Sequence, residues 1–241
     1  MESTLRLLAC LFLLLPALTA TAAPSLPEHF VATFSVRNHG AKLGQTRWTL
    51  VRDGENRYRF ESVTRASGLL SLFLSGERRE SSQWHYRGDR LQPLGYRYHR
   101  SGRQGRSVKV RFDWEQGVAY NTTEGHTWKV EVKSGTLDKL LYLLALMLDV
   151  RGGKTELSYT IADGGHPKSY HASVLGRETL STRLGTLETL KVSSQPAGDA
   201  PRTLLWLAPS LQYLPVQVEH RGQGQATLMT LESTEGLIVD Q

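Results

Sequence analysis

Phe30-Val31-Ala32-Thr33-Phe34-Ser35-Val36, the turn residues Asn38-His39-Gly40, Gln45–Val51, the turn Asp53-Gly54-Glu55-Asn56 and Arg57–Thr64 follow one another without interruption near the start of this chain. Apolar and polar residues alternate within each run, and Gly, Asn and Asp separate the runs. Period-two alternation is how a strand with one buried face reads, and short Gly-containing gaps join such strands into antiparallel hairpins. Tyr58, Phe60 and Ser62 are expected on one face of the third run. The same pattern recurs at Arg78–Tyr86, Leu91–Arg100, Ser107–Trp114, Val118–Thr122 and Thr127–Val132. Beyond a helical interruption it returns at Thr155–Ala162, Tyr170–Leu175, Leu187–Ser193, Thr203–Leu207, Leu214–His220 and Ala226–Glu232. About a dozen short strands at near-regular spacing predict a mainly β protein, a single antiparallel curled sheet or incomplete barrel.

The interruption is Thr136–Val150, Thr-Leu-Asp-Lys-Leu-Leu-Tyr-Leu-Leu-Ala-Leu-Met-Leu-Asp-Val. Thr136 is the expected N-cap, Asp138 falls in the first turn, and Arg151-Gly152-Gly153 stops the helix. So few polar residues require burial, and the segment is shorter than the roughly 20 residues that span a bilayer. Two readings stand side by side: a plug that completes the core, or a wall of an apolar cleft formed by Leu140, Leu141, Leu144 and Leu148. Leu70 and Phe73, within Gly68–Leu74, extend that cleft in the second reading and fill the core in the first.

Outward from the strands, Met1–Ala22 has the build of a cleavable export signal. Arg6 precedes the apolar run Leu7–Leu15, and Ala20-Thr21-Ala22 supplies small residues for cleavage. The rest of the chain, residues 23–241, is expected to be one β-rich domain working in the periplasm, with no transmembrane segment. Cys10 is the only cysteine. It lies in mid-run rather than at the end of the apolar stretch, which argues against lipid attachment. The exported chain then has no thiol, which removes disulfides, thiolate catalysis and cysteine-held metals. The formal charge of +6 survives removal of the signal and favours anionic partners.

That charge is concentrated. Between Arg87 and Arg111 lie Arg87, Arg90, Arg97, Arg100, Arg103, Arg106, Lys109 and Arg111 against the single acid Asp89. Arg97, Arg100, Arg103, Arg106, Lys109 and Arg111 are candidate contacts for an anionic envelope surface or an acidic envelope protein. The plainer reading is an edge hairpin kept soluble by its cations. An export signal argues against nucleic acid as the partner.

Gly68-Leu69-Leu70-Ser71-Leu72-Phe73, the spaced residues Ser75-Gly76, Arg78, Ser81 and Trp84, then Leu91, Pro93, Tyr96 and Tyr98, the leucine-rich helix, and Trp206 followed by Leu214-Pro215-Val216 together resemble the exported bacterial proteins grouped as domain of unknown function 3108. The resemblance covers nearly the whole chain after the signal. It implies a periplasmic antiparallel sheet curled around a helix, a shape similar to that of carriers and receptors which move lipoproteins across the Gram-negative periplasm. It implies no catalytic residues.

Catalytic signatures are missing from the sequence: there is no Gly-x-Ser-x-Gly elbow, His-Glu-x-x-His helix or phosphate-binding glycine loop. The eight histidines are scattered, no carboxylate pair shares local geometry, and neither a metal nor a cofactor is implied. The five tryptophans read as core or rim anchors, with a sugar-binding platform as the alternative. The expectation is a non-catalytic binding protein, a lipid or lipoprotein carrier or envelope-maintenance factor. The alternatives are a partner-binding scaffold with a filled core and, behind it, a hydrolase.

Overall fold

Hairpin follows hairpin in the computed structural model, which describes residues 26–67, 76–102, 105–163, 165–198, 201–222 and 225–237. The expected export signal with Cys10, the candidate cleft residues Leu70 and Phe73, and Arg103 lie outside the described residues. Strands β1 (His29–Asn38), β2 (Ala41–Arg52), β3 (Arg57–Ala66), β4 (Glu77–Arg87), β5 (Arg90–Arg100), β6 (Arg106–Asp113), β7 (Val118–Thr123) and β8 (His126–Glu131) form a meander. A two-residue strand, β9 (Leu137–Asp138), and one helix, α1 (Leu141–Arg151), follow. The second half comprises β10 (Glu156–Ala162), β11 (Lys168–Thr182), β12 (Gly185–Pro196), β13 (Arg202–Ala208), β14 (Leu214–Gly222) and β15 (Gln225–Glu235).

All fifteen strands belong to one sheet, ordered β8-β7-β6-β5-β4-β3-β2-β1-β15-β14-β13-β12-β11-β10-β9. The two halves meet at its middle, where β1 pairs antiparallel with β15. Among the described residues only the short β9–β10 pairing is parallel. The concave face is built by the alternation seen in sequence. Phe30, Leu50, Phe60, Ser82, Tyr96, Val110 and Asn121 stand opposite one another across seven successive strands, and all are buried. Phe60 packs against both Phe30 and Trp48 there, and Tyr58 stacks on Trp84 at 4.6 Å. Aromatic pairs of this kind add roughly 0.5–1.5 kcal/mol beyond the area they bury.

The sheet closes by overlap. End strand β9 comes round to the concave face of β4, where Ser82 Oγ donates to Asp138 Oδ2 at 2.6 Å. No pairing joins β8 to β9, so the sheet stays open there, and β5–β8 form its β8-side wing, with the concave faces of β6 and β7 buried in the core. Inside the curl, α1 lies against β10–β12. Its Tyr142 ring meets Tyr159 and Tyr170, and its Asp149 accepts a hydrogen bond from the Tyr159 hydroxyl at 2.9 Å.

Two expectations need correction. The helix begins at Leu141, five residues later than Thr136. Thr136 does not cap it: its hydroxyl accepts a bond from Lys133 N–H in the preceding turn. The capping acceptor is Asp138, whose Oδ1 takes the N–H groups of Leu140 and Leu141 at 2.9 and 2.8 Å. Strand β11 also runs on to Thr182, beyond the expected end at Leu175.

On β2, paired with Ala66 of β3, Gly44 has no room for a side chain. A Cβ there would lie 2.1 Å from the Arg65 carbonyl oxygen, a backbone atom fixed by the β2–β3 ladder. Gly44→Ala is therefore expected to force the strands apart and cost on the order of 1–3 kcal/mol, the usual range for overpacking. A denaturant midpoint that matches the wild type would contradict this.

Candidate functional site

Three features carry the chemistry of the described residues: the helix, the outer cations, and a buried acidic cluster at the seam. The helix is enclosed. Leu140, Leu141 and Leu144 are 4, 0 and 0 % exposed and belong to the main core, and Leu148 is half-buried. Two clefts among the described residues open elsewhere and are not lined by these leucines.

Pleat geometry splits the basic hairpin. Arg97 and Lys109 stand directly opposite each other on the outer face of β5 and β6, and Arg111 lies one position along on the same face. Arg100 and Arg106 are paired with each other at the hairpin end, an odd number of residues away, and therefore belong to the other face. Neighbouring strands enlarge the outer group. Arg59 lies in the row that crosses Gln83, Gly95, Arg111 and Tyr120 to Lys129. The Arg111 guanidinium sits 4.3 Å from the Tyr120 ring centroid and 3.7 Å from Asp113.

Ion pairing differs sharply across this face. On β3 and β4, Arg79 bonds Glu61 and Glu77, and Arg65 bonds Glu77, so those cations are neutralised. Burial pushes the Glu77 carboxyl up, but the bonds from Arg79 and Arg65 outweigh it and its pKa is lowered. Among the described residues Arg59, Arg97, Lys109 and Lys129 make no ion pair. Like charges directly opposite on a sheet repel. The β5–β8 wing thus carries positive potential that its own acids leave standing.

At the seam, Glu80, Ser82, Tyr96 and Asp138 form a buried polar knot. Tyr96 donates to Glu80 Oε2 at 2.7 Å, and Arg78 reaches Glu80 Oε1 from the rim at 3.2 Å. Burial raises the Tyr96 hydroxyl well above its ordinary range, with the Glu80 carboxylate adding to the shift. Burial likewise pushes Asp138 up to about 6, against the bonds from Ser82, Leu141 and Leu140 that favour its charged form. Asp138 is fully enclosed and each of its bonds serves the closure of the sheet or the start of α1, so its chemistry is structural. The sequence reading missed this knot. Its trace was Glu80 and Ser82 at alternate positions on a strand that also supplies buried Trp84.

Farther along the concave face, buried Asn121 and the hydroxyl of Thr123 have no hydrogen-bond partner among the described residues. Trp48, Trp84 and Trp206 are core anchors, and Trp128 on end strand β8 is 37 % exposed. No described helix is long and apolar enough to cross a membrane.

Comparison with known proteins bears on the fold. A β-barrel-like protein of domain of unknown function DUF1849 from Brucella abortus is similar with a TM-score of 0.57 at 9 % identity, over 87 % of this chain and 98 % of that one. A candidate lipoprotein from Parabacteroides distasonis matches at a TM-score of 0.33 and 11 % identity, over 86 % of this chain and 95 % of that one. No curated protein matches the sequence. Residues 30–229, from the first buried aromatic of β1 to β15, match the family described as protein of unknown function DUF3108, and the chain belongs to that family.

Proposed function

We propose that this protein is a non-catalytic binding protein of the periplasm that docks on an anionic phospholipid surface through the outer face of its β5–β8 wing. The unpaired cations Arg97, Lys109 and Lys129 carry the reading, with unpaired Arg59 beyond them on β3. Cations held together without counter-charges repel one another, and an anionic surface relieves that repulsion, whereas Arg65 and Arg79 on β3 and β4 are already neutralised by Glu61 and Glu77. The export-signal pattern of residues 1–22 supports the compartment. The enclosed helix supports a filled core, which favours docking by the surface over carriage of an apolar ligand inside.

Sedimentation with vesicles tests this. The wild-type protein is expected to bind vesicles containing phosphatidylglycerol, to ignore phosphatidylcholine vesicles, and to dissociate as salt rises. Arg97→Gln, Lys109→Gln and Lys129→Gln together should remove about 1 kcal/mol per cation, roughly a hundredfold in affinity. Equal binding by the triple variant, or no binding by the wild type, sinks the membrane reading. In the second case, crosslinking that captures an acidic protein on this face would put a protein partner in its place.

A further inference from the structure

A second basic feature lies apart from the outer wing, at the end of the β4–β5 hairpin. Gly88 and Asp89 form a two-residue turn, and the residues that flank it, Arg87 and Arg90, are paired directly opposite each other. Both are exposed, and neither makes an ion pair among the described residues, Asp89 included. They border a cleft of about 230 Å³ that also involves Gln92, Trp114 and Ser134.

The walls of this cleft are held in place. Trp114 stacks on Phe112 at 5.5 Å with the rings nearly parallel, and its indole N–H donates to the Pro93 carbonyl at 2.7 Å. His85 Nε2 engages Gln92 Oε1 at 2.7 Å, which leaves the amide nitrogen of Gln92 as its donor. The lining therefore offers two guanidinium groups, an amide N–H₂ and a hydroxyl as donors beside a rigid aromatic plate, with Asp89 as the one carboxylate. Guanidinium forks match phosphate oxygens two at a time. The volume falls below the roughly 300–1,000 Å³ of pockets that take drug-sized ligands, which limits the occupant to a small group.

We infer that this cleft binds a small phosphoester, with the phosphate between Arg87 and Arg90 and the organic part against Trp114. A phosphate anion between them offsets the repulsion of the opposed arginines, which no ion pair among the described residues relieves. The inference is independent of the outer wing, whose cations lie elsewhere on β5–β8; a lipid phosphodiester and a soluble phosphomonoester share the phosphate oxygens that the arginines would bind.

Glycerol phosphate is the probe, titrated into the whole exported chain while the indole N–H resonance of Trp114 is followed by NMR. Saturable movement of that resonance is expected. Arg87→Gln and Arg90→Gln should each weaken binding about tenfold or more, as loss of a bond to a charged group does. Asp89→Asn should tighten it, a change of opposite sign that general loosening of the hairpin would not give. Arg97→Gln/Lys109→Gln should leave it unchanged, which separates this cleft from the docking wing. No movement at concentrations on the order of tens of millimolar, beyond which binding energy is negligible, would overturn the inference. So would affinities that ignore Arg87 and Arg90. A further arm titrates soluble short-chain phosphatidylglycerol at constant ionic strength against bound glycerol phosphate, reading the same Trp114 resonance: displacement assigns the cleft to lipid headgroups, and its absence to soluble phosphoesters.

Discussion

Leu144→Ala is expected to destabilise the protein by about 2–5 kcal/mol, the range for truncating a large aliphatic side chain in a core. Leu144 has no exposed surface and sits on α1 beside Leu141 and Met147, themselves 0 and 2 % exposed, with the sheet on both sides of the helix. Close-packed surroundings relax only partly around a lost side chain, so the cavity left behind adds to the lost burial. Equilibrium denaturation with the helix signal followed by circular dichroism gives the number. The measurement also separates the two readings of the helix. Were Leu144 the wall of a ligand cleft, truncation would enlarge a space already present, cost under about 1 kcal/mol, and change the uptake of an apolar probe. A loss of that small size together with altered uptake would restore the carrier reading and remove the filled core on which surface docking partly rests.

How far each feature could be read from sequence follows from its range along the chain. Strands β1–β8 were legible because each hides one face and joins its neighbour through a short turn, so alternation and punctuation are both local. The second half of β11 was illegible for the opposite reason. From Gly176 onward its residues are mostly exposed on both faces, so Arg177–Thr182 shows no alternation although it pairs with β12 throughout. The split of the basic hairpin was present in the numbering: Arg97 and Arg100 are three apart, and an odd spacing in a strand places side chains on opposite faces. Reading the cations as one cluster ignored the pleat. The seam could not be read at all. Asp138 is 56 residues from Ser82, and nothing local to either one announces that a two-residue strand will return to the concave face of β4.

That seam gives the second large effect. Asp138→Asn is expected to leave the protein about as stable as wild type near pH 4 and to make it more stable by roughly 2–3 kcal/mol above pH 7. The folded-state pKa of Asp138 is pushed up to about 6 by burial, and the unfolded chain titrates near 3.8. Below about pH 4 both states are protonated and the group contributes nothing. Between about 4 and 6 the folded state holds a proton that the unfolded state has released, so stability falls as pH rises through this window. Above 6 both are ionised and the whole cost of the buried charge is present, about 1.4 kcal/mol for every tenfold difference in acidity between the folded and unfolded states. Asparagine has the shape of the protonated acid. Its oxygen still accepts from Leu140 and Leu141, and its nitrogen can donate to Ser82, so the substitution removes the titration while retaining the cap. Glu77 and Glu232, whose pKa values are lowered, act in the opposite sense, but they are the same in both proteins and cancel in the difference. Asp138→Ala instead takes the acceptor from two N–H groups and one hydroxyl and should be destabilised at every pH, because buried donors left unpaired cost about 1–3 kcal/mol each. A difference between Asp138→Asn and wild type that is flat from pH 4 to 8 would mean that the carboxylate is solvated and that the overlap of β9 on β4 is looser than a buried bond allows. A difference that grows through the window would mean that the sheet is closed by a charge held at a cost in neutral solution. The β4–β9 overlap would then be the part of the curl that opens first.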